Sequence, residues 1–313
     1  MRILLWHVHG SWTTAFVQGE HEYFLPVDSE RGPDGRGRAR TWDWPASSHE
    51  LTLEACADTE FDVVLVQRPH ELQGLASAWL GGRRPGPDVP AIYVEHNAPQ
   101  GRIAEMRHPA ADHPDLLLVH VTHFNELFWD AGETRTRVIE HGIVDPGYRY
   151  SGELERSAVV INEARRRGRV TGTDLLARLH DGGVPVDLFG MDADALGGAD
   201  DVPQWRLHDE MARRRLYVHP VRWTSLGLSL LEAMHLGMPV VALATTEVPT
   251  AVPPAAGMVS TRVDELLAAA HGFLEDPEAA REAGRAARAV ARERYGLERF
   301  LADWDETLEE VAA

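Results

Sequence analysis

The chain contains no lysine, so all 31 basic residues among its 313 are arginine. Positive charge is scarce: 49 acidic residues bring the formal net charge to −18 at pH 7. Such a surface repels phosphate backbones and anionic headgroups, which disfavours nucleic acid and membrane association. Cys56 is the single cysteine, which excludes an intrachain disulfide and fits a reducing, cytoplasmic setting. No apolar run reaches the roughly 18 residues of a membrane span. The nearest, from Leu228 to Ala244, is broken by Glu232, His235 and Pro239. The stretch Met1 to His7 is too short an apolar segment for a signal peptide. There is no Walker loop and no Gly-x-Ser-x-Gly elbow, and the glycines between Gly32 and Gly37 do not follow a strand as a dinucleotide fingerprint requires.

What is present is an alternation of short apolar runs with longer amphipathic ones. Strands are predicted over 3–8, 62–66, 91–94, 116–121, 137–139, 158–161, 185–189, 216–218 and 239–243. Most are apolar on both faces, as in a parallel sheet covered by helices. Helices are predicted near 48–58, 70–80, 122–131, 171–182, 205–215, 225–237, 262–275, 277–294 and 297–312, with Gly-, Pro- or Asp-rich loops over 31–38, 81–90 and 192–203. This order implies α/β units with doubly wound parallel sheets. The turn-rich stretch 143–157 marks a boundary, giving Rossmann-like domains over 1–147 and 157–296. Phe300, Leu301, Trp304 and Leu308 recur at helical spacing, so the helix over 297–313 has an apolar face.

The run from His219 to Val241 concentrates the chemistry. It reads as a strand end, a turn, a buried helix and the next buried strand. Thr224 and Ser225 are good N-caps for a helix from Leu226 to about Leu236. Gly227 then falls in the first turn, where the missing Cβ lets an anion approach exposed N–H groups and the positive end of the helix dipole. Glu232 sits mid-helix among Leu230, Leu231, Ala233 and Met234, so its carboxylate needs a hydrogen-bonding partner: a ribose hydroxyl, solvent or an arginine.

Pro220, Thr224-Ser225-Leu226-Gly227, Leu231-Glu232-Ala233-Met234 and Gly237-Met238-Pro239-Val240-Val241 together resemble the retaining GT-B glycosyltransferases, the family 4-like glycogen-synthase and phosphatidylinositol-mannosyltransferase type. The resemblance implies two Rossmann-like domains facing across a cleft, with the helix over 297–313 packed back on the first; a surface helix on the second domain is the alternative. It implies that Glu232 holds the donor ribose, and that Thr224, Ser225, Leu226 and Gly227 face the diphosphate and sugar. The family's first signature glutamate, eight positions before Glu232, falls on Thr224 here. In the loop after strand 158–161, Arg166 matches the family's diphosphate-binding arginine by spacing, while Thr171 stands at its lysine; Arg169 is placed to compensate.

In the first domain, strand 3–8 runs into His9-Gly10-Ser11-Trp12. Gly10 allows close backbone approach to a ligand. The resemblance sets this turn against the donor phosphates and the acceptor, with His9, Ser11 and Trp12 as acceptor residues; Trp12 either stacks on a sugar or packs. His96, after strand 91–94, matches a histidine the family places near the transferred sugar. His96, Arg166 and Thr224 are therefore the expected catalytic positions. The pairs His7/His9 and His120/His123 have metal-like spacing but lack completing ligands, so no metal and no cofactor is expected. The implied activity is transfer of a sugar, with retention, from a nucleotide-sugar donor to a small-molecule or glycan hydroxyl. The alternatives are a non-catalytic nucleotide-sugar or carbohydrate-binding protein and a sugar epimerase of the same fold.

Overall fold

A computed structural model describes residues 1–200 and 202–313. Asp201, in the loop expected over 192–203, lies outside the described residues. The chain forms two compact units, Met1–Val144 with Leu297–Ala313, and Asp145–Gly296.

The first unit runs β1 (Arg2–Leu5), α1 (Gly10–Phe16), β2 (Glu22–Pro26), β3 (Ser48–Leu51), α2 (Leu53–Ala57), β4 (Val63–Val66), α3 (Ala76–Trp79), β5 (Ala91–Glu95), β6 (Leu116–His120), α4 (His123–Phe128) and β7 (Arg135–Val138). The strands pair in parallel in the order β3-β2-β1-β4-β5-β6-β7. Every residue of β4, β5 and β6 is buried, as expected for central strands covered on both faces.

The helix predicted over 48–58 is corrected: its first part is edge strand β3, and a helix begins only after Thr52. Thr52 Oγ1 accepts from Ala55 N at 3.4 Å and starts α2. Strand β2 and helix α1 were not anticipated either. An edge strand such as Ser-His-Glu-Leu carries no two-sided apolar run, so pairing with β2 decides its conformation.

The last helix of the chain, Leu297–Ala312, buries Phe300, Trp304 and Leu308 in the first unit. Trp304 stands edge-on to Trp12 at 5.7 Å and to Phe16 at 5.0 Å. Arg299 donates to the carbonyls of Glu140 at 3.0 Å and His141 at 2.6 Å. Each large side chain fully buried this way stabilises by about 1.5–3 kcal/mol.

The second unit runs β8 (Leu154–Val160), α5 (Ala164–Arg167), α6 (Thr173–Asp181), β9 (Val186–Gly190), β10 (Ala199–Asp200), α7 (Gln204–Arg213), β11 (Arg214–His219), α8 (Leu228–Leu236), β12 (Val240–Leu243), α9 (Val248–Ala251), β13 (Gly257–Ser260), α10 (Val263–Glu275) and α11 (Pro277–Arg294). Its parallel sheet has the order β10-β9-β8-β11-β12-β13. In both sheets the winding reverses beside the first strand, between β1 and β4 and between β8 and β11. Loops leaving the carboxyl ends of strands diverge at such a switch point and open a ligand crevice there. Among the described residues, no helix is long and apolar enough to cross a membrane.

Candidate functional site

At the second unit's switch point, the loop after β8 and the turn after β11 are tied together. The N–H groups of Arg222 and Trp223 donate to the Val170 carbonyl at 2.8 and 3.2 Å. Thr245 and Thr246, after β12, donate from their hydroxyls to the carbonyls of Val221 and Ser225 at 2.8 and 2.7 Å. Gly172 has φ +79°, and a side chain there would strike the Pro220 carbonyl, so the two loops meet in direct backbone contact. The tertiary fold thus brings 162–172 beside 219–227, the two segments expected to face a diphosphate.

The helix start differs from expectation. The first helical residue is Leu228, and Gly227, with extended φ −69° and ψ 121°, is the N-cap with no side-chain cap. Thr224 and Ser225 are therefore not caps; they lie in the turn ahead of it. Leu226 is buried there. A Cβ on Gly227 would lie 2.5 Å from Cε1 of His219. Glycine is demanded at this position by the His219 ring packed against it.

Glu232 is buried, 4% exposed, in the second turn of α8. Gln204 Nε2, at the start of α7, donates to its Oε2 at 2.8 Å, and His208 Nε2 is 3.5 Å from the same oxygen. The carboxylate is thus oriented by an i, i+4 pair on α7 that the sequence reading did not single out. The spacing of Gln204 and His208 on one helix face was the available signal.

The basic loop separates into distinct environments. Arg166 is exposed and engages the Glu163 carboxylate, with Nε to Oε1 at 2.7 Å. Arg169 is exposed and lies 2.9 Å from Oδ2 of Asp174. Arg222, also missed, grips Asp174 with both terminal nitrogens at 2.6 and 2.9 Å. Those bonds, Arg222 first, hold the Asp174 carboxyl below its ordinary pKa. Arg167 is half-buried, and its guanidinium has no hydrogen-bond or ion-pair partner among the described residues. Burial, and secondarily Arg166, pulls its pKa down. Thr171 is buried and donates to the Gly168 carbonyl at 3.3 Å.

At the first unit's switch point, His9 follows β1, Gln67 and Arg68 follow β4, and His96 follows β5. The rings of His9 and His96 are 4.1 Å apart. Gln67 Nε2 donates to the Trp6 carbonyl at 2.8 Å, so its Oε1 faces His96 Nε2 at 3.0 Å and must accept from it. Nδ1 is then the acceptor nitrogen of the His96 ring. Burial holds His96 well below the ordinary histidine pKa, and burial with Arg68 and His7 lowers His9 to about 4. Arg68 is held by Glu71 at 2.5 Å and Asp34 at 2.8 Å.

Gly10 begins α1, and a Cβ there would make only ordinary contact with Trp42, 3.5 Å away. Ser11 is half-buried in its first turn. Trp12 is corrected from an acceptor-stacking residue to a core residue. It is 0% exposed, stacked on Phe16 at 5.0 Å and enclosed by His96, Phe300 and Trp304. No face of the indole is left for a sugar. Among the described residues, no three His, Cys, Asp or Glu side chains cluster as a metal site.

Residues 200–290 match the family model described as Glycosyl transferases group 1. Sucrose-phosphate synthase from Thermosynechococcus elongatus has a similar structure, with TM-score 0.74 at 13% identity and 99% of each chain covered. Anabaena HepE in complex with UDP-glucose gives TM-score 0.70 at 15% identity, covering 99% of this chain and 100% of that one. AviGT4, a glycosyltransferase involved in avilamycin A biosynthesis, gives 0.62 at 14%, covering 100% and 98%. No curated protein sequence matches the chain. At such identities the likeness is one of fold. The chain has the two-unit parallel α/β fold of its GT-B glycosyltransferase neighbours, and its second unit carries a segment similar to glycosyl transferases group 1.

Proposed function

We propose that this protein is a retaining glycosyltransferase that moves a sugar from a nucleoside-diphosphate donor to a hydroxyl of a small-molecule or glycan acceptor, without a metal or other cofactor. The observation that carries this reading is Glu232. It is a buried carboxylate in the helix that starts at the switch point, oriented by Gln204 and His208, within the segment similar to group 1 glycosyl transferases.

In this reading Glu232 accepts hydrogen bonds from the donor ribose. The diphosphate lies on the N-terminus of α8, where the backbone N–H groups and helix dipole favour negative charge. Arg167 is the cation for the leaving diphosphate, because its guanidinium is already partly desolvated and has no carboxylate to give up, whereas Arg166 and Arg169 do. His96, its ring fixed by Gln67, stands on the side of the transferred sugar, while Thr224 and Ser225 line the turn toward the transferred sugar. Gly10, His9 and Ser11 supply the acceptor side in the first unit.

HepE is known with UDP-glucose, so UDP and UDP-glucose are the first probes. Replacing Glu232→Ala should weaken UDP binding by roughly 10- to 150-fold, since a charge-assisted hydrogen bond contributes about 1.5–3 kcal/mol. Calorimetry showing equal UDP affinity in a folded variant removes the ribose role. Absence of binding across all nucleoside diphosphates removes the whole reading. Thr224, standing where the resembled family has a glutamate, favours a second reading: a nucleotide-sugar-binding protein without turnover. Hydrolysis or transfer of UDP-glucose by the purified protein ends that one.

A further inference from the structure

His219 closes β11 directly beneath the turn described above. It is 2% exposed, and neither ring nitrogen has a hydrogen-bond partner among the described residues. Its edge lies against Gly227, the N-cap of the nine-residue helix α8: a Cβ on Gly227 would sit 2.5 Å from its Cε1 and 3.1 Å from its Nε2. Its ring stacks with Tyr217 at 6.2 Å, and the Tyr217 hydroxyl is hydrogen-bonded to Ser229 Oγ at 2.9 Å, in the first turn of α8.

The remaining surroundings are apolar. On its face of the sheet the buried Ala242 of β12 stands opposite it in register. Tyr217 is the titratable side chain facing it, and burial is the cause that lowers the imidazole pKa to about 4. Leucine would satisfy such surroundings; two unpaired ring nitrogens destabilise them. The imidazole nonetheless occupies a buried position behind the unsatisfied N–H groups of α8, where an anion is favoured.

We propose that His219 takes up a proton from solvent when a nucleoside diphosphate seats on the N-terminus of α8, and that its imidazolium balances the phosphate charge from behind Gly227. The proposal rests on the donor-site reading above. It gives the site a cation that exists only while the diphosphate is bound, in a chain that has Thr171 where the resembled family has a lysine. The neutral ring keeps the empty site free of a buried charge, and the charged ring is stabilised by the incoming anion. No covalent bond changes; one proton passes from solvent to a ring nitrogen.

The test is calorimetry of UDP binding to the wild type and to His219→Leu, at pH 6 and pH 8, in buffers of different ionisation enthalpy. UDP's own phosphate proton contributes equally to both proteins, so their difference reports His219. The wild type should take up about half a proton more per UDP at pH 6, with an affinity about twofold above the variant's that disappears by pH 8. Without UDP, the leucine variant should melt at or above the wild-type temperature, because it removes two unpaired buried nitrogens. If it fails to fold, His219→Gln, which keeps hydrogen-bonding capacity but cannot take the proton, gives the same comparison. Equal proton counts in wild type and variant overturn this proposal alone. Failure of both UDP and pyrophosphate to bind the wild type overturns the donor-site reading and this proposal with it.

Discussion

Among the described residues, three buried imidazoles have no hydrogen-bond partner on either ring nitrogen: His120, His141 and His219, at 0%, 2% and 2% exposed. Burial is the main cause that lowers them from 6.5 to about 3, 3 and 4. In the unfolded chain each takes its proton near pH 6.5; in the folded chain each stays neutral until much lower pH. Between these limits the unfolded state binds more protons, so the fold is most stable above pH 6.5 and weakens as pH falls toward 4. The slope approaches about 1.36 kcal/mol per pH unit for each histidine. From pH 7.5 to 5 that amounts to about 2 kcal/mol per residue, and His120 and His141 share one unit. Their sum, about 4 kcal/mol, is a large part of the roughly 5–15 kcal/mol that holds a domain folded.

Relief of repulsion within a −18 surface acts in the opposite direction on acidification. The clean comparison is therefore urea unfolding, followed by circular dichroism at both pH values, for the wild type and His120→Leu. The wild type should lose about 2 kcal/mol more than the variant between pH 7.5 and 5. Parallel losses in the two proteins would refute the assignment of His120 as a buried neutral group that resists protonation.

The environments of the arginines make a second prediction. Arg167→Ala should lower UDP affinity by about tenfold or more, as for a lost charge-assisted contact, while Arg166→Ala, exposed and paired with Glu163, leaves it nearly unchanged in the same titration. The reverse order of effects would return the diphosphate contact to Arg166. Trp12→Ala should cost about 3–5 kcal/mol of unfolding free energy in denaturant melts, the loss expected of a large core aromatic. A loss below about 1 kcal/mol would mean the indole is not packed as the first unit's core requires.

The central strands were legible because burial on both faces leaves an unbroken apolar run: β4 reads Val-Val-Leu-Val and β12 reads Val-Val-Ala-Leu. The helices Pro277–Arg294 and Leu297–Ala312 were legible for the opposite reason, a sustained helical period with one apolar face. Edge strands β3, β10 and β13 were not, since only pairing with a neighbour makes them strands. The start of α8 was misplaced because Thr224 and Ser225 are good caps in isolation. Packing of His219 against Gly227, and of the turn against Thr245 and Thr246, moves the first helical residue to Leu228.

The chemistry divides along the same line. Local sequence determined that a carboxylate, Glu232, would lie inside an apolar helix after a glycine-containing turn, because periodicity and turn composition are properties of neighbouring residues. It also determined that the basic loop would stand ahead of that turn in the chain. Only the tertiary structure decided which of those arginines has a carboxylate partner. Arg166 pairs with Glu163 and Arg169 with Asp174, while Arg167 is in an ion pair with neither and feels Glu163 only at longer range. Those two pairs join residues three and five apart, but the burial of Arg167 depends on residues distant in sequence, and desolvation has no local signature. The same reason placed Trp12 inside the core, where the last helix closes over it, and set His219 unpaired behind the helix that its own strand leads into.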